Sequence, residues 1–298
     1  MDNIRKIISI EKDLQNSFSS YNYLCKFAYQ LQSTDFPALT IDMSKVNFVA
    51  ANLFSVIGCL LANCPAAKQP EGSLHILGMN PKIRETIQKN GFCHHFGLER
   101  LPDINNTVIP YRIFNVSELC EYERYLTINL FTRKDLPPVA KDDRIRDSLL
   151  ELFKNVIDHT TSKNVYTCGQ YFPKSKILFF TIVDIGETIP YNVIEFHQSQ
   201  NLTPPDNCLE WAIQSGTTTS QIAKPRGLGL FLLKALIQNN QGSLYIISGY
   251  NDYEINRGKE KFRQLEHPFS GTIVTVGFNL SNNISPYLSF EDDNTIQF

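Results

Sequence analysis

Glu151, Asn155 and His159 stand four residues apart. At 3.6 residues per turn they drift across roughly 80° of a helix surface, so a carboxylate, an amide and an imidazole share one row. The carboxylate can accept a proton, and the amide and ring can donate or accept hydrogen bonds. Ile145, Leu149, Leu152, Phe153 and Val156 recur at three- and four-residue spacings and define an apolar face on the other side. Taken alone, such a row is most often the solvated face of an amphipathic helix. It becomes a site only if groups of matching chemistry follow.

They do follow. Two apolar runs of strand character, VYTCGQY and KILFFTIV, lead to Asp184, Gly186, Glu187 and Thr188. A carboxylate at a strand end, followed by a glycine, can accept a hydrogen bond from an exocyclic amine. Pro225, Arg226, Gly227, Leu228 and Gly229 then open the apolar helix FLLKALIQNN. Glycines at a helix entrance let backbone N–H groups approach phosphate closely. Lys224 and Arg226 beside them are cationic donors suited to an anion, with a solvated surface role as the alternative. Gly271 and Thr272, entering the strand TIVTVGF, complete the set.

In this order and spacing the four elements resemble the GHKL superfamily of ATP-binding domains, over roughly Pro138 to Leu280. The resemblance implies that Asn155 is a Mg²⁺ ligand and that Glu151 acts as, or near, a general base. It implies that Asp184 reads adenine, that Gly227 and Gly229 belong to the phosphate loop, and that His159, Gly186, Thr188, Lys224, Arg226, Leu228 and Thr272 surround the nucleotide. ATP or ADP with Mg²⁺ is the expected cofactor. One departure stands out: Thr188 occupies a position where the family usually has glycine, and a β-branched residue disfavours positive φ. Nucleotide binding is therefore expected to be weakened, and hydrolysis more so.

The chain has 298 residues, enough for about two domains, and a net charge of −2 with Lys and Arg dispersed. No basic stripe points to nucleic acid. No apolar run approaches the ~18 residues of a membrane helix, and the opening MDNIRKIISIEKD returns to charge too early for a signal peptide. The expectation is a cytosolic protein without a membrane partner. Seven cysteines form no CxxC pair and read as reduced core thiols. Cys93, His94 and His95 lack a second ligand cluster, so packing accounts for them better than a metal.

From the start of the chain, NIRKIISI reads as a strand and SFSSYNYLCKFAYQLQ as an amphipathic helix. LTIDMSKVNFVAANLFSVIGCLLANC is a strand running into an apolar helix. SLHILGMNPKIRETIQKNGF repeats the pattern, with Asn80 as N-cap, Pro81 as first helical residue and Gly91 as terminator. Alternation at this spacing implies a sheet covered by helices. Residues Leu39 to Phe48 resemble the strand and continuation of a STAS domain, over roughly Asp2 to Gly97. Members that switch partners carry a phosphorylated hydroxyl at the next helix entry. Here Ala50, Ala51 and Asn52 stand instead, with Asn52 either holding that surface in its unmodified state or simply capping the helix. Ser55 falls inside the helix, where packing suits it better.

The expected fold class is α/β (α+β): a STAS-like interaction domain over 1–100, a docking connector over 101–137, and a two-layer α/β sandwich of the GHKL type over 138–298. The connector, with Tyr111, Ile113, Phe114, Tyr122, Tyr125, Leu126 and Leu130, is too apolar for a tether and reads as a docked strand and helix. Ile189 to Pro225, built around one helix, NCLEWAIQS, reads as a lid. GYNDYEINRGKEKFRQLEHPFSG reads as a charged excursion with a mobile tip, and SPYLSFEDDNTIQF as an acidic tail.

Two functions are then expected. One is a nucleotide-gated interaction module of the partner-switching, anti-sigma-factor-like kind, with weak or no hydrolysis and a protein partner met through the N-terminal domain. The alternative is an active ATPase or serine/threonine kinase acting on a separate partner. A homodimer is a further option.

Overall fold

The computed structural model describes residues 5–32, 38–68, 74–217, 219 and 229–281. The N-terminal unit contains β1 (Arg5–Ser9), α1 (Phe18–Gln32), β2 (Ala38–Asp42), α2 (Phe54–Ala62), β3 (Leu74–Leu77) and α3 (Pro81–Asn90). Its three strands are parallel in the order β1-β2-β3. The Asn80 side chain accepts the Ile83 N–H at 3.0 Å, Pro81 starts α3, and Gly91 ends it in the left-handed conformation at φ 84°, so local chemistry sets both ends of that helix.

The remainder contains β4 (Val108–Asn115), α4 (Leu119–Leu126), α5 (Asp143–His159), β5 (Asn164–Phe172), β6 (Ile177–Ile185), α6 (Ile189–Ser199), α7 (Cys208–Ala212), α8 (Gly229–Asn239), β7 (Ser243–Asn256) and β8 (Lys259–Asn279). Five strands form an antiparallel sheet in the order β4-β5-β6-β8-β7. Residues 101–137 therefore supply the edge strand β4 and the helix α4, which packs on α5 through Tyr122 stacked against Phe153 at 4.5 Å.

Alternate residues along a strand face opposite ways. On β6 and β8, Ile182 and Val274 join the core shared with α5 and α8, while Val183 and Ile273 join the core shared with α1 and α2. Both faces of the sheet are thus covered, one by α4, α5 and α8 and the other by the N-terminal unit. This double burial explains why KILFFTIV reads as an unbroken apolar run rather than an alternating one.

Asn52 is not a helix cap. The cap position of α2 is Leu53, which makes no side-chain cap bond, and Asn52 is wholly buried. Its amide donates to Asn16 Oδ1 at 2.7 Å and to Thr181 Oγ1 at 2.8 Å, and Asn16 Nδ2 donates back at 3.2 Å. Thr181 continues to Thr275 across β6 and β8 at 2.8 Å. A hydrogen-bonded polar chain therefore runs from the N-terminal unit into the middle of the sheet. Ser55 is buried and donates to the Asn52 carbonyl at 2.6 Å, in keeping with a packing role.

The segment from Gly249 to Gly271 is no loose excursion. Asn256 pairs with Lys259 across a two-residue turn whose Arg257 and Gly258 both have positive φ, and β7 and β8 run on as a long hairpin. Several of its charges have partners, Arg263 above all: it bonds Asp252 at 2.9 Å, bonds Glu254, and lies over the Phe18 ring of α1 at 4.2 Å. All seven cysteines are free thiols, and only Cys120 is exposed. Among the described residues no helix is long and apolar enough to cross a membrane.

Replacing Asn52 by Ala would leave the half-buried Asn16 amide and the buried Thr181 hydroxyl each short of a hydrogen bond. We expect a loss of about 1–3 kcal/mol in unfolding free energy, measured by urea denaturation. A stability equal to wild type would show that this chain of hydrogen bonds contributes nothing to docking.

Candidate functional site

The cleft lies between α5, the α6–α7 segment, the start of α8 and one face of the sheet. Helix α5 forms its first wall. Asp142 caps that helix by accepting the Arg144 N–H at 2.9 Å, and Ile145, Leu149, Leu152, Phe153 and Val156 are buried as their spacing requires. This packing turns Glu151, Asn155, Asp158 and His159 toward the cleft. The row is not a bulk-solvated helix face.

The sheet supplies the floor. Asp184 is the direct cross-strand partner of Thr272, and Ile182 that of Val274. Two residues apart on each strand, the four share one face and all line the cleft. The Thr272 hydroxyl lies 2.9 Å from Ser248 Oγ, and Ser248 also accepts the Ile189 N–H at 2.9 Å, tying β7, β8 and the start of α6 together at the floor's edge.

Asp184 is the electrostatic centre of the site. It is 1% exposed, and its Oδ2 is buried with no hydrogen-bond partner among the described residues. Burial pushes its carboxyl from 3.8 up to about 7, the Thr160 hydroxyl opposes that rise, and the nearby Glu187 charge adds to it. Glu187 itself is held low by the Thr161 backbone N–H, and it also accepts the Thr161 hydroxyl at 2.9 Å. A buried carboxyl with an unpartnered oxygen on a cavity floor can accept a hydrogen bond.

Gly229 opens α8 beside Glu151. A Cβ on residue 229 would stand 2.8 Å from Glu151 Cγ and 3.0 Å from its Oε1, so the helix start lies directly against that side chain, and a larger residue would require Glu151 to shift. The α5 carboxylate and the α8 N-terminus therefore meet at one end of the cleft, with Asp184 and Thr272 on its floor. The cavity measures about 130 Å³.

Of the residues singled out from sequence, Glu151, Asn155, His159, Asp184, Gly229 and Thr272 converge on the cleft. Gly186 and Thr188 adjoin it without lining it. Thr188 has φ −82° and ψ 155°, and its hydroxyl accepts the Tyr191 N–H at 3.2 Å as the N-cap of α6. No positive φ is required there, so the exchange of glycine for Thr188 introduces no backbone strain. Lys224, Arg226, Gly227 and Leu228 lie outside the described residues.

The described residues after Thr188 hold two helices, α6 and α7, where the sequence suggests one. Thr188 followed by Pro190 is a cap signal for α6 that the polar composition of the segment obscures. Asn192 of α6 donates to the His159 carbonyl at 2.7 Å, and Thr219 Oγ1 lies 3.1 Å from His159 Nδ1, so this segment is bonded to the end of α5. Thr217, Thr219 and Trp211 line the cleft. Sequence reasoning passes over Trp211, Asn192 and Thr160 as site residues, because contacts between segments distant in the chain leave no local signature.

Among the described residues no three His, Cys, Asp or Glu side chains gather as a metal cluster. Mg²⁺ needs none, since it binds through one or two protein oxygens plus substrate phosphates and water. The Asn155 amide oxygen, on the cleft wall, is an oxygen of that kind. No protein-family model matches the chain, and no curated protein matches it.

The pKa of Asp184 carries a sign. Being raised in the folded state, it contributes stability that is full below pH 3.8 and is lost as pH rises through about 7. Asp184→Asn removes this dependence, so between pH 5 and 8 the wild type should lose stability relative to the variant, with a slope of at most about 1.4 kcal/mol for each pH unit crossed. Urea melts of both proteins at the two pH values measure it. Parallel pH profiles would refute the buried-carboxylate assignment.

Proposed function

We propose that this protein binds an adenine nucleotide with Mg²⁺ in the α5–α8 cleft, as a GHKL-type unit preceded by a STAS-like one, and that binding gates interaction with a protein partner. The observation that carries the reading is the unsatisfied Asp184 Oδ2 on the cavity floor, with Thr272 directly across the strand pair. An exocyclic amine would give that oxygen the donor it lacks. Asn155 would hold the cation, which would neutralise phosphate charge at the start of α8. The hydrogen bonds of Asn192 and Thr219 with His159 would give a bound ligand a route to the α6–α7 segment, whose order would then depend on the nucleotide.

A partner meeting the N-terminal unit would use a surface other than that around Asn52, which the chain's own sheet occupies. Ile7 on β1 and Leu77 on β3 are 61% and 54% exposed and offer apolar contacts there. A second reading, ATP hydrolysis or phosphoryl transfer to a separate protein, draws on Glu151, whose carboxylate lies beside the α8 start where a general base would be needed.

Calorimetric titration with Mg-ATP tests the first reading. Asn155→Ala should abolish the magnesium dependence of affinity while leaving the fold intact, and unchanged curves would sink the assignment. Phosphate release separates the two readings. If the wild type hydrolyses ATP, Glu151→Ala should retain binding and lose roughly 10²–10⁴-fold in rate. Release no faster than background leaves the gating module. Asn52 has no hydroxyl and, like Ser55, is buried against the sheet face opposite the cleft, so incubation with Mg-ATP should add no phosphate at this helix entry by intact mass and peptide mapping of residues 40–60.

A further inference from the structure

Trp211 is the chain's single tryptophan, and it lines the cleft half-buried, on a helix of only five residues. A large aromatic side chain left open beside a cavity needs a reason, because full burial would have removed more apolar surface from water. Its support is built in. Leu209 and Ile213 on either side of it are buried in the core, and the Asn207 side chain caps α7 by accepting the Glu210 N–H at 3.1 Å. The Thr217 hydroxyl returns to the Trp211 carbonyl at 2.9 Å, closing the following segment onto the helix.

The indole itself is braced from α6. The His197 ring stands edge-on to it at 4.9 Å and 72°, and the Phe196 ring lies 5.9 Å away at 38°. His197 is buried, with Nδ1 2.8 Å from the Val193 carbonyl, so Nδ1 carries the proton and the ring is locked to its own helix. A braced aromatic side chain therefore faces a cavity whose floor has apolar Ile182 and Val274 and one carboxylate oxygen awaiting a donor.

We propose that Trp211 is a specificity-determining residue that stacks on the ligand, so that the cleft selects a planar heteroaromatic base by its face as well as by the amine Asp184 accepts. This rests on the nucleotide reading above. It adds that the α6–α7 segment senses the base directly, through the indole and its His197 brace. Aromatic stacking on a base tolerates Phe in place of Trp but not a small polar side chain.

The test uses the full chain. Mg-ATP is titrated calorimetrically into the wild type, Trp211→Phe and Trp211→Ser, and tryptophan emission of the wild type is followed in parallel. We expect Trp211→Ser to bind about 5- to 150-fold more weakly, the range that base stacking provides, and Trp211→Phe to stay within about threefold of wild type. Wild-type emission should change and saturate with the calorimetric curve. If wild type binds Mg-ATP but the Ser variant binds equally well, or the Phe variant is as weak as Ser, the stacking role is overturned while the nucleotide reading stands. Should Trp211→Ser fail to fold, the emission decides: no change at saturation overturns the proposal. No heat with the wild type removes the nucleotide reading, and stacking falls with it.

Discussion

A five-stranded sheet with apolar side chains on both faces has to be covered twice, and the rest of the molecule follows from that constraint. The helices α4, α5 and α8 cover one face, and α1 and α2 of the N-terminal unit cover the other. Each buried aliphatic or aromatic side chain is worth about 1.5–3 kcal/mol relative to exposure, so a sheet with one face left in water would forgo a large part of the fold's stability. The N-terminal unit is for this reason a structural layer of the molecule. Gly58 shows how close the fit is. It interrupts the apolar helix α2 where a Cβ would stand 2.4 Å from the Tyr111 hydroxyl of β4.

Apolar burial alone does not select one docking register between two surfaces of this kind. The chain Asn16–Asn52–Thr181–Thr275 does, because a shifted register would leave amides and hydroxyls unpaired in a dry interface. The same physics acts with opposite effect on the other face. Asp184 is held in an environment that disfavours its charge, and no protein group among those described satisfies its second oxygen. The amides and hydroxyls of the docking chain are paired, whereas Asp184 Oδ2 on the cavity floor, like Asp252 Oδ1 and Asp103 Oδ1 elsewhere, has no partner among the described residues. One face of the sheet is thus packed against the N-terminal unit, and the other carries the cleft.

This geometry bears on how nucleotide and partner would communicate. Thr181 and Val183 face the N-terminal unit, while Ile182 and Asp184, their neighbours on the same strand, face the cleft. Asp184 and the Asn52 interface lie on opposite sides of a single β-strand. The α6–α7 segment would be the other route, since Asn192, Thr219 and Trp211 join it to the cleft and none of its described residues belongs to the interface core.

The sequence by itself determined whatever depends on neighbours within a turn or two. The Asn80–Pro81 start and Gly91 end of α3, the apolar face of α5 and the strands on either side of Asp184 are set by caps, by 3.6-residue periodicity and by runs of β-branched and aromatic residues, all local in chain distance. The order of Glu151, Asn155, Asp184, Gly229 and Thr272 along the chain is legible too, and the cleft brings these five together. Only the tertiary structure decided what each polar residue faces. Asn52 could cap a helix or hold a surface on local grounds, and it is Thr181, 129 residues away, that makes it an interface amide. Thr188 suggests backbone strain until α6 is seen behind it as a helix in need of a cap. The charged stretch after Gly249 reads as a loop along the chain because its ion pairs, and the Phe18 ring beneath Arg263, join positions that sequence proximity does not connect. Periodicity and capping are short-range interactions and can be read along the chain, whereas the partner of a buried polar group is chosen when distant segments pack.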